Sequence, residues 1–261
     1  MNCSEGSDSQ VVAGIAAAGG SQVLDVHSDP HHNRSVLTMA SRDSSALLDA
    51  VKQVVKAAVA AIDLREHVGV HPYMGSADVV PFAPLEGSSS LEEALEARNA
   101  TARWIAEELG VPCFLYGPER TLPDIRREGF RSIAPDCGPT KPHETAGATC
   151  VGARMPLVAY NIWLAGGDLG LATELARELR GPSVRALGLD LGGHVQVSCN
   201  LTDPKEVGPK MVYDFVAARA KIERAELVGL IPSYVLKEVP ASRWSELDLD
   251  LSRTIEARLT S

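Results

Sequence analysis

The sequence predicts an α+β fold of two βαββαβ-type units, and three observations lead there. The second half repeats a compact rhythm of strands and helices, the first half shows a similar alternation, and a proline-rich stretch between them reads as a connector. With 261 residues, 45% of them hydrophobic, the chain can bury a substantial core in one large domain or two smaller ones.

In chain order, Val23–His27 and Ser35–Met39 look like strands around a polar turn. Residues 44–62 place Leu47, Leu48, Val51, Val54, Val55, Ala58, Val59 and Ile62 at helical spacing, one apolar stripe that can cover a sheet. Strand character returns at Asp78–Phe82. A second helix opens on the capping-box pattern Ser90-Leu91-Glu92-Glu93 and stops at Gly110, with Pro112 close behind, and Val111–Tyr116 reads as the next strand. Residues 117–147 hold Pro118, Pro123, Pro135, Pro139 and Pro142 among charges and glycines, a long connector of the kind that is often functional. Beyond it come strand Leu157–Leu164, helix Asp168–Arg180 stopped by Gly181-Pro182, strands Val184–Leu191 and His194–Leu201, helix Pro209–Ile222 and strand Ala225–Ile231. In His194–Leu201, Val195, Val197, Cys199 and Leu201 alternate with His194, Gln196, Ser198 and Asn200, which predicts a sheet with one buried and one polar face. The tail from Ser242 to Ser261 reads as a final helix. The pattern fits two ferredoxin-like subdomains built by duplication, spanning residues 1–149 and 150–261, although no residue-level repeat is evident.

Composition excludes several classes of function. No run approaches the roughly 20 apolar residues that span a bilayer, and the N-terminus lacks a basic region followed by a hydrophobic one. The expectation is a soluble, unexported protein without a membrane partner. Cys3, Cys113, Cys137, Cys150 and Cys199 are odd in number and form no CxxC pair, which argues against a disulfide framework and a structural zinc site and fits a reducing cytoplasm. With 34 acidic and 25 basic residues the net charge is −9, so nucleic acid is not an expected partner.

The densest chemistry lies in His67-Val-Gly-Val-His71-Pro-Tyr-Met-Gly75-Ser-Ala-Asp78-Val-Val-Pro-Phe82. Two imidazoles four residues apart, a proline fixing the backbone after the second and a glycine permitting a sharp turn suit a proton-transfer loop feeding a buried strand. Hydrogen-bonded structural histidines are the competing reading. A second cluster, His27-Ser-Asp29-Pro-His31-His32-Asn33-Arg34, occupies the turn between two strands, where functional groups project from a rigid frame or simply meet solvent. Together these segments offer the ligand types zinc uses, but no HExxH is present and no metal is expected. The stretch from Asp136 to Arg154 combines glycines, hydroxyls and one fixed cation ahead of a strand. Glycine lets a ligand approach the backbone, and Arg154 can hold a carboxylate in a planar fork. Neither a P-loop nor a GxGxxG turn occurs, and no GxSxG or cysteine–base pair marks a covalent nucleophile.

Over nearly its whole length the chain resembles the glutamate formimidoyltransferase family, the formiminotransferase unit of formiminotransferase-cyclodeaminase. The resemblance runs in order through Cys3-Ser-Glu-Gly6, Asn33-Arg34-Ser-Val36, His71-Pro-x-Met-Gly75-x-x-Asp78-Val, Ala106-Glu-Glu-Leu-Gly-Val-Pro112, Arg120-Thr-Leu-Pro123, Ala134-Pro-Asp136-x-Gly-Pro139, Gly147-Ala-Thr149, Val151-Gly-Ala-Arg154, Gln196-Val-Ser198 and Leu227-Val-Gly-Leu230. It implies two ferredoxin-like subdomains with ligand between them, a homodimer, and transfer of a formimidoyl group from N-formimidoyl-L-glutamate to N5 of tetrahydrofolate, as in histidine degradation. The related formyl transfer from 5-formyltetrahydrofolate to glutamate, and folate binding without turnover, are the alternatives. By the same resemblance the catalytic histidine falls on His71, and the folate-binding segment on Gly138-Pro139-Thr140-Lys141-Pro142-His143-Glu144-Thr145-Ala146-Gly147, with Arg154 just beyond. Asp29 is the candidate to orient His71, Arg154 and Lys141 are candidates for substrate carboxylates, and Asn33 and Arg34 are candidates to orient the donor. The chain departs from the family at Tyr73, where an arginine is common, and at His27, where animal members carry an aspartate. Members usually have a strand-forming segment ahead of the Asn-x-Ser-Glu-Gly motif, so one edge or central strand is expected to be missing.

Overall fold

The computed structural model describes residues 1–259. Helices and two separate sheets are combined in two units, Met1–Arg154 and Met155 onward, each with its own core. The first unit runs β1 (Asn2–Cys3), α1 (Ser9–Ala17), β2 (Val23–Asp29), β3 (Arg34–Met39), α2 (Ser44–Ala61), β4 (Ala77–Phe82), α3 (Leu91–Leu109), β5 (Cys113–Tyr116), α4 (Leu122–Glu128) and β6 (Thr149–Ala153). Its strands lie in the order β2-β3-β1-β4-β6-β5. Those from β2 to β4 pair antiparallel, and β4, β6 and β5 pair parallel.

Local sequence explains these elements. Asp43 caps α2 by accepting from the Ser45 and Ala46 amides, and α2 buries Val51, Val54, Val55 and Ala58 as the periodicity predicts. Ser90 and Glu93 form the expected reciprocal capping box on α3, which ends on Gly110 at φ 64°. The connector is less irregular than expected. It contains α4, opened by a second capping box between Thr121 and Asp124, and its last residues lead into β6. That strand, Thr149–Ala153, is buried throughout, and its small residues have a packing cause: a Cβ on Gly152 would stand 2.0 Å from the Tyr116 ring. Because Thr149–Ala153 pairs within the first sheet, the units divide after Arg154.

The second unit runs β7 (Val158–Leu164), α5 (Leu169–Leu179), β8 (Val184–Asp190), β9 (Val195–Leu201), α6 (Pro209–Ala217), β10 (Ile222–Val228), α7 (Ser233–Lys237) and α8 (Ile255–Leu259). Its sheet has the order β10-β7-β9-β8 and is antiparallel throughout. Val195, Val197, Cys199 and Leu201 enter the core as the alternation predicts, while on the other face Gln196 is also buried and Asn200 is exposed. Three boundaries differ from expectation. Helix α6 stops at Ala217, and β10 begins at Ile222, where the pairing with Leu164 claims the chain. The tail is not one helix. Asp248 turns to φ 53° while accepting from the Leu227 amide, and the chain then makes a short turn at Leu251–Arg253 before α8. The final two residues of the expected helix lie outside the described residues. Among the described residues no helix is long and apolar enough to cross a membrane.

Candidate functional site

Asp78, the second residue of β4, is fully buried and organises the loop ahead of it. Its Oδ1 accepts from the Met74 amide at 2.7 Å and from the Gly75 amide at 3.4 Å. Its Oδ2 accepts from Arg34 Nη1 at 2.7 Å and from Arg126 Nη2 at 3.0 Å. One carboxylate therefore ties β3, β4 and α4 together and fixes the C-terminal end of the loop that carries His71. Burial works to raise the Asp78 pKa, but the two guanidiniums and the Met74 amide outweigh it and hold the carboxyl below its usual range.

Asn33 braces the other end of this loop. At φ 46° in the β2–β3 turn, it donates through Nδ2 to the Val68 carbonyl at 3.0 Å and contacts His67 Nδ1 at 3.3 Å. Its Oδ1 accepts from the Gly6 amide at 2.9 Å and the Ser7 amide at 3.2 Å. The Asn33 side chain is committed to joining three segments of the protein, so its geometry is that of a brace rather than of an amidine-orienting group.

His71 stands half-buried between these anchors. Its Nδ1 lies 2.8 Å from the Pro72 carbonyl oxygen, which can only accept, so Nδ1 carries the hydrogen and Nε2 keeps a lone pair. Burial first, then the Arg34 and Arg126 charges, push its pKa down to about 3, so the ring is neutral near pH 7. The expected contact with Asp29 is not made. Asp29 Oδ1 accepts from the His31 and His32 amides in a local turn, and Oδ2 lies 3.3 Å from His32 Nδ1. His32 meets the His71 ring edge-on, with centroids 6.0 Å apart. Tyr73 packs on His67 in the same loop.

The segment from Gly138 to Gly147 divides in two. Pro139, Thr140, Lys141 and Pro142 are exposed, and Gly138 packs near Ala106 and Pro112. His143 and Gly147 close a turn by exchanging backbone hydrogen bonds at 2.8 and 2.9 Å. This turn docks on the His71 loop: the Ser76 amide donates to Ala146, the Ala148 amide to Met74 and the Leu64 amide to Thr145. Glycine is required where the two segments cross. Gly147 has φ 67°, and a Cβ on it would stand 2.2 Å from the Met74 carbonyl oxygen. His143 Nδ1 accepts from the Ala146 amide at 3.1 Å and the Thr145 amide at 3.3 Å, which leaves its Nε2 as a donor. Exposed Glu144 pairs with Arg65. Arg154 lies at the other end of β6 from Gly147. It follows β6, whereas Gly147 precedes it, and at about 3.3 Å per residue the strand separates them by roughly 16 Å or more. The Arg154 amide donates to the Phe82 carbonyl, and its side chain reaches the Tyr116 hydroxyl.

Arg126 is the main site residue that sequence reasoning passed over. The Thr121-x-x-Asp124 capping box ahead of Ile125 was the available signal for a helix there. Two buried side-chain atoms flank the docked loops without a protein hydrogen-bond partner, Ser76 Oγ and Arg126 Nε. Among the described residues, no three His, Cys, Asp or Glu side chains converge as a metal site.

The family model described as "Formiminotransferase domain, N-terminal subdomain" matches residues 1–154. A glutamate formimidoyltransferase of Streptococcus pyogenes is 34% identical over 97% of this chain and 95% of its own length. One from Thermoplasma acidophilum is 34% identical over 91% of this chain and 88% of its own. A formimidoyltransferase-cyclodeaminase of Sus scrofa is 33% identical over 92% of this chain and 51% of its own. By the matched model and by 34% identity to relatives aligned over nearly its whole length, the chain belongs to the formiminotransferase family.

Proposed function

We propose that this chain transfers the formimidoyl group of N-formimidoyl-L-glutamate to N5 of tetrahydrofolate and releases L-glutamate. The observation that carries the reading is His71, a neutral imidazole with its hydrogen fixed on Nδ1 and an acceptor at Nε2, held beside two guanidiniums. The names of the relatives give the same reaction class. The residues present fit a folate: an exposed, proline-rich segment with Lys141 and a donor at His143 is bonded to the His71 loop, and Ser76 Oγ beside it lacks a protein partner. Tetrahydrofolate, when bound, supplies the nucleophilic N5.

His71 Nε2 takes the proton that N5 sheds as its bond to the amidinium carbon forms. The same nitrogen returns that proton to the glutamate nitrogen as the carbon–nitrogen bond to glutamate breaks, so the residue ends the cycle neutral. Pro72 holds Nδ1–H throughout and keeps the tautomer fixed. Arg34 faces the donor and favours its carboxylates, while Asn33 and Asp29 hold the loop and turn that frame the ring. General acid–base action of this kind contributes about 10²–10⁴ in rate, and holding two substrates in attack geometry supplies much of the rest. Homodimerisation and a cytoplasmic location belong to the same reading.

A steady-state assay with N-formimidoyl-L-glutamate and tetrahydrofolate tests it, comparing wild type with His71→Ala after circular dichroism shows both folded. The expected result is turnover by wild type and a kcat lower by about 10²–10⁴ in the variant. Folded wild type without turnover, or a variant as fast as wild type, overturns the reading.

A further inference from the structure

We infer that Arg126, together with Arg34, forms the subsite for the carboxylate nearest the reacting nitrogen of the donor, so that the anion sits directly beside His71. The inference rests on the formimidoyl transfer reading and assigns Arg126 a role that the sequence motifs did not give it. Charge stoichiometry is the first support. Two guanidiniums, from β3 and α4, share one oxygen of one buried carboxylate, at 2.7 and 3.0 Å, and Asp78's other oxygen is taken by backbone amides. One positive charge is left over. Arg126 Nε is buried with no protein acceptor, the kind of donor a bound carboxylate completes. Position is the second support. Asp78 is bonded to Met74, three residues past His71, and Arg34, Arg126 and Asp78 are the charged side chains His71 feels.

Both substrates carry carboxylates, and reach separates them. The α-carboxylate of formimidoyl-glutamate is two bonds from the nitrogen that departs, whereas the carboxylates of tetrahydrofolate lie beyond its aminobenzoyl ring, far from N5. A site beside the base therefore takes the donor. The arrangement also couples binding to catalysis. The groups facing His71 are Arg34 on β3, Arg126 on α4, Asp78 on β4, His32 in the β2–β3 turn and the Pro72 carbonyl of its own loop. Burial is the first cause of the ring's neutrality and the two cations add to it; a carboxylate on Arg126 and Arg34 offsets the cations' part, so the imidazole becomes a stronger base when the donor is present.

Arg126→Gln and Arg126→Lys test the assignment, with thermal melts confirming folded protein. In steady state, the Gln variant is expected to raise KM for N-formimidoyl-L-glutamate by about 10- to 100-fold, with KM for tetrahydrofolate nearly unchanged, and Lys to recover part of the loss. A donor without the α-carboxylate, N-formimidoyl-γ-aminobutyrate, should be much poorer than the normal donor for wild type and only slightly poorer for Arg126→Gln. A KM effect on tetrahydrofolate alone moves the subsite to the folate tail and overturns the inference, as does equal discrimination between donors in both proteins. Calorimetric titration with L-glutamate separates this failure from failure of the function itself. Binding that weakens in Arg126→Gln supports the subsite even if no turnover is found, and equal binding by both proteins removes it.

Discussion

The two sheets share four strands in the same order and differ in what is added to them. In the first unit β2-β3-β1-β4, and in the second β8-β9-β7-β10, an antiparallel set arises from the run βαββαβ. In the second unit the set is complete in itself. Strand β7 gives seven residues to the sheet centre, paired along both edges, whereas its counterpart β1 gives two. The first unit instead extends past β4 with the parallel strands β6 and β5. Strand β6 frames the candidate site, because the His71 loop enters β4 and the His143–Ala148 turn enters β6 at the same end of two parallel neighbours. The polar groups differ accordingly. Asp78 in the first sheet holds two cations, whereas Glu226 in the second accepts from the neutral Asn161 amide and Trp163 indole and lies 3.6 Å from exposed Arg224.

That contrast gives the largest expected effect. Asp78→Asn leaves two guanidiniums on a buried neutral amide and should lower unfolding free energy by about 3–5 kcal/mol in chemical denaturation. Glu226→Gln keeps an acceptor for neutral donors, and about 1–2 kcal/mol is expected. Equal losses would mean that the charge at Asp78 is not what distinguishes the two sheets.

The crossing of Gly75 and Gly147 is the next point at which the units separate. Gly147→Ala combines a left-handed φ with a contact against fixed backbone, so a loss of about 2–4 kcal/mol and a disturbed His71 loop are expected. Gly192 in the second unit has φ 70°, but a Cβ added there would meet nothing within 4 Å, and its alanine variant should lose only about 1 kcal/mol. Comparable melting temperatures for the two variants would show that the crossing is not tightly packed.

Much of this contrast was legible before the structure, and the reasons for the rest are local. Alternation in Val195–Leu201 and the stripe of α2 fixed elements whose faces have one clear environment. Helix α1 escaped notice although Asp8 caps it and Val12 and Ile15 face inward, because glycine and alanine dilute its pattern. Strand β6 read as the end of a glycine-rich loop, whereas the Tyr116 ring on neighbouring β5 leaves no room for a Cβ at Gly152 and so selects a small residue there. At the site, the resemblance named His71 and the Gly138–Gly147 segment separately, and hydrogen bonds through Ser76 and Ala148 join the His71 loop to the end of that segment. It paired Asp29 with the wrong histidine, since an aspartate followed closely by two free amides satisfies itself locally. The role of Asp78 depends on arginines 44 residues before it and 48 after it, a convergence that spacing along the chain does not record.

Acid should act unevenly on the two units. Six of the seven histidines lie in the first, and His71 is held down to about 3 in the folded chain against about 6.5 unfolded. Between these values the unfolded chain binds more protons, so stability rises with pH across that window and is lost as pH falls from 6.5 toward 3. His71's own share of the loss at pH 5 relative to pH 8 is on the order of 2 kcal/mol, before most carboxylates protonate. His71→Gln cannot take up that proton and should make the profile shallower between pH 6.5 and 5, leaving the slope set by the buried Met1 amine, lowered to about 5, and by His67, also lowered by burial. Hydrogen exchange read peptide by peptide gives the comparison directly: protection in β4 and β6 should fall at pH 5, once corrected for the intrinsic exchange rate, while protection in β7 and β9 stays level. A parallel fall in both sheets, or a His71→Gln profile as steep as wild type, would place the acid-sensitive group elsewhere and detach the ring's neutrality from the fold that surrounds it.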